Sequence, residues 1–311
     1  MTVYDIITDR IVSLLESGTV PWRKPWNTQA GCPKNLVSKR EYRGINVFLL
    51  HCLGYELPYF LTYRQAKKRG GHVRQGERGC PVVFWKCDWR PKPADGDDEE
   101  RAGATVPLLR YYTVFNVAQC EGIEYPLPSR VEREHTPVTA AENIVQGMPH
   151  APHVEHGSRQ ACYVPSLDSV RMPRPEVFES GEAYYATLFH ELTHSTGHSS
   201  RLDRKVDTVL APFDSTDYSR EELVAEMGAA FLCAEAGIAD ARIDQSAAYI
   251  EGWLRRLRSD KRLVVVAAAQ AQKAADFILA RVQPWSGQRV TPVAWRWATC
   301  VLALTSRSVR E

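Results

Sequence analysis

Three features of the 311-residue chain predict an α+β protein of two domains. β-Branched and aromatic text marks two neighbouring runs, "CPVVFWKCDW" and "LLRYYTVFNV", and several other stretches carry apolar residues at helical spacing. A break at about 122–140, "GIEYPLPSRVEREHTPVTA", holds three prolines and no apolar period. With 44% hydrophobic residues, a chain of this length can bury more than one core. The expectation is a mixed α/β domain over residues 1–125, a linker over 126–139, a mainly helical domain over 140–285 and an unclassified tail over 286–311.

The elements follow in order. Val3, Ile6, Ile7, Ile11, Leu14 and Leu15 share one face of a helix over 3–17, and Gly18 stops it. "INVFLLHCLG" and "TYRQAKKRGG" read as two short helices ended by glycine. The two β-rich runs follow, joined by "RPKPADGDDEERAGATVP", whose acidic 95–100 stretch reads as an exposed excursion between strands of one sheet. After the break come a helix starting near Ala140, a strand in "ACYVPSLDSVRMP", a long helix around "FHELTH" and further helices to about Val282. No internal repeat is visible.

The net charge of +2 hides an asymmetry: residues 1–90 hold 15 Lys+Arg against 7 Asp+Glu, and the remainder 24 against 30. Only the first part is suited to a polyanion. The eight cysteines form no CxxC pair and lie mostly among apolar neighbours, which reads as reduced thiols in a cytoplasmic protein. "MTVYDIITDR" lacks the apolar core of a secretion signal, and "VAWRWATCVLALT" is too short and too charged to span a bilayer.

"HELTHSTGH" carries the chemistry. One helical turn separates His190 from His194, so both imidazoles can meet one cation, and Glu191 between them is placed to take a proton from a bound water. His198 would stand about 12 Å along the axis from His190, too far to share the ion, and is left for capping, a supporting contact or a substrate contact. Gly197 resembles the metzincin pattern, but Ser200 stands where that pattern needs its third histidine. The missing ligand is expected from "SREELVAEMGAAFL", which resembles the ligand helix of gluzincins. Glu222 is assigned as the third ligand, Glu226 as the acid that orients a ligand histidine, and Glu221 as solvent-facing. The expected cation is Zn²⁺ or another divalent ion such as Mn²⁺. Tyr163, His198 and Tyr218 are candidates to stabilise an oxyanion.

Residues 20–78 hold 12 Lys+Arg against 3 acids, interleaved with aromatics. Positive charge along phosphates with aromatic faces under bases is how single-stranded nucleic acid is held. The candidates are Trp22, Arg23, Lys24 and Trp26 on a proline-stiffened loop, then Arg40, Tyr42, Arg43 and Asn46, then Lys67, Lys68, Arg69 and Arg74. The tryptophans have a second reading, as anchors of a core.

"PWRKPW", "YRGINVFLL", "VRQGERGCPVVFWK" and "YYTVFNVAQCEGI", followed by "YYATLFHELTHSTGHSSRLDR" and "REELVAEMGAAFLCAEAGI", together resemble ArdC-type antirestriction proteins. That resemblance implies a single-stranded-DNA-binding domain followed by a zincin-like metallopeptidase domain, and a role in protecting incoming plasmid DNA from restriction during conjugation. It supports His190 and His194 as ligands and Glu191 as the acid/base. Three rival readings are a peptidase that cuts a host restriction or repair protein with DNA only as a tether, a DNA-binding protein with a structural metal, and an accessory domain of a primase. The chain has no membrane partner by this reading, and its sequence does not fix an oligomeric state.

Overall fold

α1 (Val3–Glu16) starts the fold under a reciprocal cap: the Asp5 amide donates to the Thr2 hydroxyl, and the Thr2 amide donates to the Asp5 carboxylate. The computed structural model describes residues 1–23, 31–90, 104–126, 136–204, 216–238 and 247–281. The acidic excursion, most of the expected linker and the tail lie outside them, as do Lys24 and Trp26.

The two β-rich runs form β4 (Cys80–Arg90) and β5 (Ala104–Asn116), an antiparallel pair registered from Cys80 opposite Val114 to Arg90 opposite Ala104. β5 also pairs with β2 (Tyr59–Leu61), which runs parallel to β1 (Lys34–Asn35), giving a sheet of order β1-β2-β5-β4. α2 (Ile45–His51) packs on β4, and α3 (Tyr63–Lys68) sits beside β3 (His72–Val73), which pairs with β6 (Cys120–Glu121).

After α4 (Pro137–Gln146) comes a three-stranded sheet of β7 (His153–His156), β8 (Cys162–Val164) and β9 (Ser169–Met172), with β9 central. "ACYVPSLDSVRMP" is therefore two strands where one was expected. Pro165 opens a short 3₁₀ turn, and Asp168 in the left-handed region (φ 45°) reverses the chain.

The helices α5 (Gly181–Ser195), α6 (Thr216–Ala236), α7 (Ala247–Ser259) and α8 (Leu263–Ile278) complete a two-domain α+β architecture. α6 and α8 are buried nearly all round, as their continuous Ala, Val and Leu text requires. They serve two cores. Leu223, Val224 and Val264 join Ile7, Phe48 and Val82 in one, while Leu232, Cys233 and Ile278 join Phe189 and Met172 in the other. The first and last described helices thus share a core: α1 packs on α7 and α8.

Candidate metal centre and strand-binding face

α5 and α6 cross closely because Gly228 meets Thr193. A Cβ on Gly228 would lie 2.5 Å from the Thr193 methyl. That approach brings Glu222 to the histidines. Glu222 Oε2 is 3.6 Å from His190 Nε2, Glu222 Oε1 is 3.6 Å from His194 Nε2, and the two Nε2 atoms are 3.1 Å apart. His190, His194 and Glu222 are the one trio of potential metal ligands converging in this way among the described residues. Glu191 is buried between the histidines on α5, and its Oε2 accepts the amide hydrogen bond of Tyr163 from β8 at 2.8 Å.

Glu221 takes the place expected of Glu226, and Glu226 lies in neither expected position. Glu221, only 5% exposed, lies 3.6 Å from His194 Nδ1 and 2.6 Å from the Arg204 guanidinium. Arg204 also donates to the Thr193 carbonyl and the Thr196 hydroxyl, which ties the end of α5 to α6. Glu226 instead forms a buried ion pair with Arg23 at 2.6 Å. Helix geometry explains the correction. At about 100° per residue, positions 221, 225, 228 and 232 form the line facing α5; 222 lies about 90° from its centre and 226 about 130°. Glu222 reaches the imidazoles sideways, and Glu226 has turned past them.

Electrostatics follow from this packing. Burial of the His194 imidazole opposes its charged form, but the Glu221 hydrogen bond and the nearby Glu222, Glu221 and Glu191 carboxylates outweigh it, so its pKa is raised. Burial likewise opposes ionisation of Glu221, and is outweighed by Arg204 and by the His194 hydrogen bond, so the acid titrates below its ordinary value. His190 Nδ1 is buried without a hydrogen-bond partner among the described residues.

The supporting candidates lie aside from the cation trio. His198 Nδ1 is 2.8 Å from the Ser200 hydroxyl and 3.8 Å from Asp168, so it faces a loop acid and not a ligand imidazole. The Tyr163 phenol donates to Asp168 at 2.8 Å, and Arg201 pairs with Asp168 as well. Tyr163 thus contributes its backbone amide to the site, while its hydroxyl is engaged elsewhere. The Tyr218 side chain lies outside the described residues.

The basic candidates divide sharply. Trp22 is 0% exposed, packs edge-on against Trp253 and donates to the Tyr249 hydroxyl at 3.1 Å. Arg23 is buried over the Tyr249 ring, 3.9 Å from its centroid. Tyr42 is buried against Phe60, and the Asn46 side chain holds both backbone groups of Val83. These four are structural anchors, because each finds its partners inside the shared core or at the sheet edge. Arg43 pairs with Asp276 on α8, and Arg74 with Glu77. Arg40, Lys67, Lys68 and Arg69 are exposed. Tyr63, one helical turn from Lys67 on α3, and Tyr112, which lines one cleft with Arg40, are exposed rings outside the sequence candidates, while the exposed Tyr111 lies on the opposite face of β5. The pattern "TYR…RYY" carried that signal, but it was absorbed into strand and helix propensity.

Residues 139–270 match the model of a zincin-like metallopeptidase family, and residues 1–115 that of the N-terminal domain of anti-restriction factor ArdC. Protein y4eC of Sinorhizobium fredii is 38% identical over 90% of this chain and 92% of its own length. The crystal structure of antirestriction ArdC protein from R388 plasmid, metal-free, matches with a TM-score of 0.71 at 38% identity, covering 91% of this chain and all of the other. The chain belongs to the ArdC-type antirestriction family. A Mn(II)-bound structure of the same R388 protein matches with a TM-score of 0.69 at 37% identity, covering 92% of this chain and all of the other. DNA primase TraC of Escherichia coli is 36% identical over 94% of this chain, which spans 28% of that primase's length.

A zincin-like domain implies a divalent cation, and the ArdC-type site described above has the spacing for one. Ligand atoms about 2.1 Å from an ion at tetrahedral angles stand about 3.4 Å apart. The separations of 3.1, 3.6 and 3.6 Å bracket that value. Cys32, Cys52, Cys80, Cys120, Cys162 and Cys233 are free thiols, with Cys80 and Cys233 buried and Cys162 exposed. None belongs to the cation trio. No described helix is long and apolar enough to cross a membrane.

Proposed function

We propose that this cytoplasmic protein binds single-stranded DNA and thereby protects incoming plasmid DNA from host restriction during conjugation, and that it carries a separate divalent-metal centre of peptidase type. The observation that carries the reading is the separation of the two surfaces. Lys67, Lys68, Arg69, Arg40, Tyr63 and Tyr112 are exposed on α3, the adjoining loops and the first sheet, whereas the cation trio is built between α5 and α6. Exposed cations beside exposed rings supply the phosphate and base contacts that a single strand requires.

His190, His194 and Glu222 would hold the cation, zinc or manganese, which when bound polarises a water and a substrate carbonyl. Glu191 is the proton carrier. The Tyr163 amide fixes its Oε2 at 2.8 Å, leaving Oε1 to take and pass on the proton. Glu221, held by Arg204, orients the His194 ring.

Fluorescence anisotropy on a labelled single-stranded oligonucleotide tests the strand-binding part. Binding by the full chain is expected to fall steeply with salt, and neutralising Lys67, Lys68 and Arg69 together to flatten the slope of log affinity against log salt by about 2. An unchanged slope in that triple variant contradicts the assignment.

A further inference from the structure

Beside the exposed cations lies an open cleft of about 450 Å³, within the roughly 300–1,000 Å³ range of small-molecule sites. Its lining includes Asn35, Arg40, Glu41, Tyr42, Gln65 and Tyr112. Tyr112 is 36% exposed and backed on one side by Phe84, with ring centroids 5.5 Å apart. Tyr42 supplies a buried phenol that hydrogen-bonds Tyr112 and Asn35. The two amides are fixed in place. Asn35 Oδ1 accepts from the Val37 and Ser38 amides, and Asn35 Nδ2 donates to Gln65 Oε1, which also accepts from the Thr62 amide. Arg40 has no carboxylate partner among the described residues.

This is a polar slot with one exposed ring, one cation and one carboxylate. The carboxylate is informative. Glu41 repels phosphate, so its place next to Arg40 suits a ligand that presents a hydrogen-bond donor edge together with an anionic backbone. Bases with an exocyclic amino group carry that donor at the rim of the ring, where thymine has its O4 acceptor; the one donor of an unpaired thymine, N3–H, lies between two carbonyl oxygens that repel a carboxylate. Resting on the strand-binding reading above, we propose that the cleft takes one unpaired base bearing an exocyclic amino group. Its ring stacks on Tyr112, its amino edge meets Glu41 and its phosphate meets Arg40. The protein thus has a base preference built into a surface that otherwise holds any strand.

The test uses the full chain and two labelled 12-mers, dC12 and dT12, by anisotropy at pH 7.5. Wild type is expected to bind dC12 about fivefold or more tighter than dT12, since a good base-edge contact is worth at least that. Tyr112→Ala loses on the order of tenfold on dC12, and Tyr112→Phe stays near wild type because stacking needs the ring alone. Glu41→Gln separates base reading from bulk charge. It is expected to strengthen dT12 and to abolish the dC12 preference, whereas a charge effect alone strengthens both equally. Equal wild-type affinity for the two oligonucleotides overturns the proposal, as does a Tyr112→Ala variant within twofold of wild type. If neutralising Lys67, Lys68 and Arg69 still weakens both oligonucleotides in that case, the strand-binding surface stands without the slot. If wild type binds neither, the strand-binding reading falls first and takes the slot with it.

Discussion

Replacing Glu221 by glutamine should weaken metal binding more than any change at Glu226, although Glu226 sits one helical turn from the ligand Glu222. Glu221 is buried 3.6 Å from His194 Nδ1 and 2.6 Å from Arg204. Gln keeps the volume but removes the charge that makes the His194 ring a better donor to a cation. Loss of such a supporting carboxylate typically weakens metal affinity by about 10–100-fold, or about 1.4–2.7 kcal/mol. The substitution also strips Arg204 of its buried counter-charge, so stability falls by up to about 3–5 kcal/mol. Glu226→Gln breaks an equally buried pair, with Arg23, and should lower stability by a similar amount. Its described ion pair is with Arg23 and not with a ligand, so its metal affinity should stay within about twofold of wild type. Titration of Zn²⁺ and Mn²⁺ against a chromophoric chelator measures the affinities, with thermal melts by circular dichroism to show that each variant is folded. Equal losses in the two variants would mean that metal affinity follows general destabilisation, and the assignment of Glu221 as the positioning acid would be wrong.

Three further outcomes follow from the same packing. Trp22→Ala empties a fully buried site against Trp253 and Tyr249, and chemical denaturation should show a loss of about 3–5 kcal/mol; a smaller loss with selectively weakened DNA binding would restore the stacking role. Gly228→Ala drives a Cβ into the Thr193 side chain, so stability should drop by about 1–3 kcal/mol, with part of it recovered when Thr193→Ala is added; no loss would show that α5 and α6 are not held this closely. Metal affinity should rise with pH. Burial opposes charge on His194, but Glu221, Glu222 and Glu191 hold its proton above the ordinary value of 6.5, so in the metal-free protein a proton competes with the cation up to that raised pKa. An affinity that has levelled off well below pH 6.5 contradicts the raised pKa.

Local rules made much of this fold readable. The stripe of Ile7, Ile11 and Leu15 defined α1, the β-branched runs defined the β4–β5 pair, and one-turn spacing placed His190 and His194 together. The acid next to the ligand was misread because one-turn spacing says which residues are neighbours on a helix and not which line faces the partner helix. Gly228 against Thr193 sets that line, and it is a contact between helices. The basic half was misread for a related reason. Arg23 and Trp22 look like nucleic-acid contacts in a region poor in acids, but their partners, Glu226, Tyr249 and Trp253, come from more than 200 residues later. Charge scarcity nearby in sequence says nothing about charge brought in by the fold. Tyr112 was hidden for the opposite reason: strand propensity explained its presence and so drew attention from its exposure.

Under the proposed function, strand binding protects DNA and the metal centre does something else. Plasmid transfer into a restricting recipient, comparing donors that express wild type, Glu191→Gln, or the Lys67, Lys68 and Arg69 neutralised variant, tests this most directly. Glu191→Gln is expected to protect as well as wild type while the neutralised variant loses protection. Loss of protection in Glu191→Gln, in a protein that still binds metal and single-stranded DNA, would contradict the account and make the proton carrier of the metal centre the agent of protection.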